Sequence, residues 1–155
     1  MKLSLKKEHI YTSSLLLKFF NNFIFNNLKC KMERLIYFSF FYWKKHSNLM
    51  PLFFFFESLL KVRPLLGFYL YIIKRKKIKK IKITPYFMPF ENRWKKAIYW
   101  ISRSIKIDRG KNTLPLLISY ELYNIIFSET SLSLKKKTKH YKTLMLYKTS
   151  KNFIW

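Results

Sequence analysis

Side chains able to carry acid–base, nucleophilic or metal chemistry are sparse in this chain. Three histidines, His9, His46 and His140, lie far apart and lack both ligand spacing and a paired carboxylate. Asp and Glu total 7, too few to furnish acid–base pairs or a metal cage. The single cysteine, Cys30, excludes an internal disulfide and a cysteine-based zinc knuckle; a buried or half-buried thiol is its expected fate. Only 2 glycines are present, which cannot build a Walker, Rossmann or nucleophile-elbow loop. The expectation is a non-enzyme with no catalytic residue, no metal and no cofactor.

Cations are the abundant chemistry. Lys and Arg total 32 of 155 residues, for a formal net charge of +25. So much charge on a small body repels itself and calls for a polyanion. Hydrophobic residues make up 50% and aromatics 20%, so the chain is no disordered basic tail and has the means to bury a core. Lys61 to Lys82 holds nine cations and no acid, the densest positive stretch; it reads either as a solvated charged loop or as a binding arm. Arg93, Lys96, Trp100 and Arg103 recur at spacings of three and four, giving a basic helical face with one aromatic in its middle. From Lys135 to Trp155 there are seven lysines and no acid.

The kind of cation matters. Lysine ammonium groups neutralise phosphates but do not read base edges in the bidentate manner of arginine. Binding of this type releases counterions, falls steeply with salt, and recognises nucleic acid by shape. The three histidines then read as surface or RNA-facing residues. Trp100 and Trp155 are candidates for stacking on unpaired bases, with ordinary core packing as the alternative for each.

Composition also points to a source. One Ala, one Val, one Asp and no Gln stand beside 16 Phe and 11 Tyr, with abundant Lys, Ile and Asn. These are residues of AT-rich codons, as expected of an organelle genome, so Phe and Ile do packing that smaller aliphatics do elsewhere. Mitochondrion is the favoured compartment and plastid the second choice. The longest stretch free of charged residues, His46 to Phe56, is interrupted by Pro51 and falls short of the roughly 20 residues that span a bilayer. No membrane insertion is expected. Met1 to Lys7 is basic, but interruption by Glu8, His9 and Lys18 makes this N-terminal region a poor signal peptide. A competing reading is a peripheral or interfacial subunit of an organellar membrane complex, lying on lipid through Phe- and Lys-rich amphipathic stretches.

The elements that must position these cations are set by periodicity and the few prolines. Leu15, Leu16, Phe19, Phe20 and Phe23 recur near helical spacing after Ser13 or Ser14, and Asn26-Asn27 breaks the run. A second helix is predicted from about Lys29 to Lys45, with Met32, Leu35, Ile36, Ser39 and Trp43 on one side. Pro51 opens a third, with Leu52, Phe55, Leu59 and Val62 in register, and Pro64 ends it. Leu65 to Ile73 and the succeeding Lys- and Ile-rich segment favour two strands joined by a basic tip, Lys74 to Lys77, with Pro85 and Pro89 closing the excursion. A fourth helix begins at Glu91 or Asn92, with Trp94, Ala97, Ile98, Ile101 and Ile105 as its apolar stripe. Thr113 is a candidate cap for a fifth, with Pro115 in its first turn and Leu117, Leu122, Ile125 and Ile126 inward. Ser128 to Ser133 reads as a polar joint, and Tyr141, Leu144, Met145 and Tyr147 are spaced for a last amphipathic helix. The predicted fold is mainly α: one domain over residues 1–155, a bundle of five to six helices with a basic β-hairpin arm, residues 65–84, inserted between helices three and four. Residues 1–12 form a basic N-terminal extension, and residues 135–155 a basic C-terminal helix and tail.

This order, read with particular residues, resembles the small-subunit ribosomal protein seven family of bacterial and organellar type, collinearly from about Leu15 to Trp155. Leu16, Lys18, Phe19 and Asn21 look like its first-helix motif, and Glu33, Ile36 and Tyr37 like its second. Pro51, Leu52, Phe55 and Leu59 lead to Val62-Arg63-Pro64, similar to the step before that family's arm. Ala97, Ile98 and Trp100 resemble its fourth-helix motif, Lys135-Lys136 its closing helix, and Lys148, Phe153 and Trp155 its final residues. Three features depart from the pattern: Lys74, Arg75, Lys76 and Lys77 stand where the family's tip carries a Gly-Gly pair, residues before Leu15 have no counterpart, and Glu91 to Arg93 keeps part of an Arg-rich approach. Without glycine a wider or more mobile tip is expected.

The resemblance implies a structural constituent of the small ribosomal subunit that binds the 3′ major domain of its rRNA and helps assemble the head. It implies rRNA contacts by Lys2, Lys6, Lys7, Arg63, Arg93, Lys96, Trp100, Arg103, Lys135, Lys136, Lys137, Lys139, Lys142, Lys148 and Lys151. Lys74, Arg75, Lys76, Lys77, Lys79, Lys80 and Lys82 would form the arm near exit-site tRNA and mRNA. Neighbouring small-subunit proteins are further implied partners.

Overall fold

Prolines open two of the six described helices. In the computed structural model, which describes residues 14–24, 29–47, 50–75, 78–107, 112–128 and 130–147, α1 is Ser14–Asn21, α2 Lys29–Ser47 and α3 Pro51–Val62. Strands β1, Leu66–Arg75, and β2, Ile78–Phe87, come next, then α4, Phe90–Ile107. Helix α5, Leu114–Tyr123, runs directly into one π turn, Asn124–Ser128, and α6 is Leu132–Tyr147. The predicted plan holds: the molecule is mainly helical, with a two-stranded antiparallel hairpin between the third and fourth helices.

Pro51 and Pro115 sit in the first turns of α3 and α5, where a missing N–H removes no intrahelical bond. Pro64 stops α3: the preceding Arg63 adopts φ −57°, ψ 130°, while its own N–H still reaches the Leu59 carbonyl at 2.9 Å. Thr113 occupies the N-cap of α5 with extended backbone, but its hydroxyl makes no capping bond, contrary to the role expected of it.

The core is aromatic. Phe19, Phe20, Phe23, Phe40, Phe54 and Phe55 are buried, and Phe19 meets both Phe23 and Phe55 edge-on at 5.0 Å. Edge-to-face contacts of this kind add about 0.5–1.5 kcal/mol each beyond burial. Trp43 of α2 lies 4.1 Å from Phe54, and its indole N–H donates to the Ser119 carbonyl of α5 at 3.1 Å. Rings this large still require small residues where helices cross closely. With one Ala and 2 Gly in the chain, serine fills that role. Ser39, Ser58, Ser102 and Ser104 are buried, and each hydroxyl donates back to a carbonyl three or four residues earlier, at 2.6, 2.7, 3.1 and 2.9 Å.

Four local expectations change. Cys30 is exposed, because it lies on the solvent side of the first turn of α2. Helix α6 begins at Leu132, so the polar joint is shorter than expected and two of its serines, Ser131 and Ser133, are buried. Met145 points outward at 65% exposure while Leu144 is buried. Strand β2 passes through Pro85 to Phe87, opposite Leu66, and the loop closes at Met88, whose N–H donates to the Leu65 carbonyl at 3.1 Å. A proline is tolerated there because both strands of a two-stranded ribbon are edges.

Candidate RNA interface

The hairpin is rooted on α4 and α6 by one buried histidine. His140 Nε2 bonds the Leu66 carbonyl at 2.9 Å, its ring stacks on Phe68 at 4.8 Å, and Trp100 meets it edge-on at 5.4 Å. The reading of His140 as a surface or RNA-facing residue is thus corrected: it is 8% exposed and ties α6 to the first residue of β1. Burial pushes its pKa below the ordinary 6.5, partly opposed by the Leu66 bond, with the Lys96 charge adding to the depression. Tyr141 adds a second tie, its hydroxyl accepting from the Leu65 N–H at 2.9 Å.

Trp100 takes the core alternative. It is 8% exposed, packed in the central cluster and against His140, and so offers no face for stacking on a base. On the same helix, Lys96 is half-buried between the Phe68 and Trp100 rings, its ammonium 5.7 and 5.4 Å from their centroids, and burial lowers its pKa.

Several expected RNA-binding cations turn inward onto the protein's own backbone and side chains. Arg93 Nε donates to the Met88 carbonyl at 2.7 Å, and Arg63 lies over the Trp94 ring at 5.2 Å. Lys136 Nζ reaches Ser104 Oγ at 3.1 Å and the Trp100 carbonyl at 3.5 Å. Lys137 Nζ donates to the Lys61 carbonyl, and burial, then the Arg63 charge, lowers its pKa. Lys61, which sequence reasoning did not single out, donates to the Ile126 carbonyl at 2.9 Å and so satisfies the π turn. The Lys61 and Ile126 carbonyls lie in last turns of helical backbone, where N–H partners run out, and a flexible ammonium is a ready donor for them.

Other cations face outward. Arg103 is exposed, its guanidinium donating to the Tyr99 hydroxyl at 2.6 Å and lying over that ring. Lys135, Lys139 and Lys142 are exposed at helical spacing on the outer side of α6. Beside them an apolar groove of about 1020 Å³, lined by Leu134, Tyr141, Met145 and Leu146, has Lys61, Lys137 and Lys142 along it. Lys74 and Arg75 end β1, and Lys79, Lys80 and Lys82 lie in β2, so the basic residues of the arm occupy its far half. Lys2, Lys6, Lys7, Lys76, Lys77, Lys148, Lys151 and Trp155 lie outside the described residues, as does His9; so does the question of the tip conformation.

One acid escaped notice in the sequence. Glu121 of α5 is buried, and its Oε1 accepts from the Ser133 N–H at 3.1 Å and the Ser133 hydroxyl at 2.6 Å. A carboxylate is thereby held at the N-terminus of α6, where the helix dipole favours it. Ser131 Oγ completes the cap by accepting from the Leu134 N–H at 3.2 Å. Among the described residues no group of three or more His, Cys, Asp or Glu could hold a metal, and no helix is long and apolar enough to cross a membrane.

Comparison with known protein families finds no matching family model, and comparison with curated proteins finds no match.

Proposed function

We propose that this chain is a structural, RNA-binding constituent of a small ribosomal subunit, most consistent with a mitochondrial one. In that role it binds the 3′ major domain of the small-subunit rRNA and helps build the head, with neighbouring ribosomal proteins at its sides. The arm reaches toward exit-site tRNA and mRNA. One observation carries this reading: a packed helical body projects a hairpin whose far half carries Lys74, Arg75, Lys79, Lys80 and Lys82, within a chain of net charge +25. A body this basic is matched by a phosphate backbone. The exposed row Lys135, Lys139 and Lys142, with Arg103, supplies outward cations on the body itself.

Sedimentation of organelle lysate through sucrose, with immunodetection across the fractions, tests it. Co-migration with the small subunit and the monosome, both lost after ribonuclease, is the expected result. A signal that stays with membranes after the same treatment favours the lipid-bound subunit reading instead and overturns this one.

A further inference from the structure

Of the two tryptophans offered for base stacking, Trp100 is buried and Trp155 lies outside the described residues. The near half of the hairpin carries other rings. Tyr69 and Tyr71 alternate along β1 and are 51% and 52% exposed. Tyr86 of β2 stacks on Tyr69 at 4.2 Å and 18°, and Tyr71 lies 6.3 Å from Tyr69, tilted by 48°. The three tyrosines therefore share one side of the ribbon, while Phe68 and Ile83 on the other side pack toward the body.

Gly67 makes the arrangement possible. It pairs with Tyr86, and a Cβ there would stand 2.6 Å from the Tyr86 ring and 2.8 Å from Met88. The glycine thus lets Tyr86 lie across β1, where it backs Tyr69 and fixes its orientation. Tyr69 is left with a ring ordered by Tyr86 and still half exposed.

The surroundings select the occupant. Tyr71 is in register with Lys82, and Lys80 is one alternate position further along the same strand. No Asp or Glu occurs from Lys61 through Phe90. Half-exposed aromatic rings in register with a lysine-rich strand match a ligand with flat π faces and a phosphate chain. A second copy of this chain would bring cations against cations.

We infer that Tyr69 and Tyr71, backed by Tyr86, form a stacking site for unpaired nucleobases of a single-stranded RNA segment. Its phosphates run along the lysines of β2. Unpaired bases are required, because bases within a duplex keep their faces covered by their neighbours. The inference rests on the RNA-binding reading and specifies where single-stranded segments are held.

The test measures binding of the full chain to a labelled oligoadenylate and to a duplex RNA of equal length. Tyr69→Leu and Tyr71→Leu should each weaken oligoadenylate binding by roughly 5- to 150-fold, the range for loss of one stacked base, and leave duplex binding and the salt slope unchanged. Tyr69→Phe and Tyr71→Phe keep the ring and should bind as the parent does. Both Leu changes fall on exposed positions; Tyr69→Leu also removes the stack on Tyr86, so a single cooperative melting transition well above the assay temperature checks that the fold is intact. Leu variants that bind oligoadenylate as the parent does overturn the stacking site, including the case in which the rings face a neighbouring protein. The RNA reading survives that result if Lys135→Gln, Lys139→Gln and Lys142→Gln still weaken binding. A parent chain that binds neither RNA overturns both.

Discussion

Single side chains in this protein do work that their types do not advertise. Glu121 is one of 7 acids in a chain of 32 cations, and it is buried against the start of α6. It receives the first turn of α6 through Ser133. Glu121→Ala should leave that N–H unmet and lower stability by about 1–3 kcal/mol, whereas Glu121→Gln keeps an acceptor and should recover much of the loss. Urea unfolding of the two variants reads the difference. Gly67 is the opposite case, a residue needed for what it lacks. Gly67→Ala should push Tyr86 off Tyr69 and cost about 1–3 kcal/mol, seen as a lower melting temperature together with altered aromatic proton shifts of the tyrosines. Neither role is visible in sequence, since an acceptor twelve residues from its donor and a ring folded across a strand leave no periodic mark.

At the scale of elements, the helices and hairpin were legible because prolines and apolar spacing punctuate them. Pro51, Pro64 and Pro115 stand at element boundaries, and Phe55, Leu59, Val62, Ala97, Ile98, Ile101 and Ile105 are all buried as their spacing requires. The ends were less legible. Helix α6 starts earlier than its lysines suggest because Ser131 and Ser133 make a cap that depends on α5. The candidate site was legible only in outline: charge marks Lys136, Lys137 and Arg93 as cations, but whether a cation meets phosphate or a backbone carbonyl is decided by packing. The root of the hairpin adds a pH dependence. His140 is held neutral by burial, so its folded pKa lies below its unfolded one and the unfolded chain binds the proton more tightly. The stability it contributes is therefore present above about pH 6.5 and is lost as pH falls through the folded value. Amide exchange at Leu65, whose N–H donates to the adjacent Tyr141 hydroxyl, should accelerate over that window, and a His140→Phe chain should show a flatter profile.

For the whole molecule, the distinction between inward and outward cations predicts two separable phenotypes. Replacing Lys135, Lys139 and Lys142 together with Gln should reduce the slope of log affinity against log salt by about 2 to 3, with little change in stability. Lys61→Met and Lys136→Met should do the reverse, leaving the slope alone and lowering stability by about 1–3 kcal/mol each through lost charge-assisted bonds to backbone and Ser104. Salt titrations of RNA binding and urea unfolding on the same variants separate the two groups. The outward thiol of Cys30 has a practical consequence at this scale. With one cysteine in the sequence, an iron chelate attached by maleimide marks a single point at the start of α2. Hydroxyl radicals released there would cut whichever strands pass nearby, so the wild-type chain can chart its own neighbourhood in an assembled particle without any residue being changed.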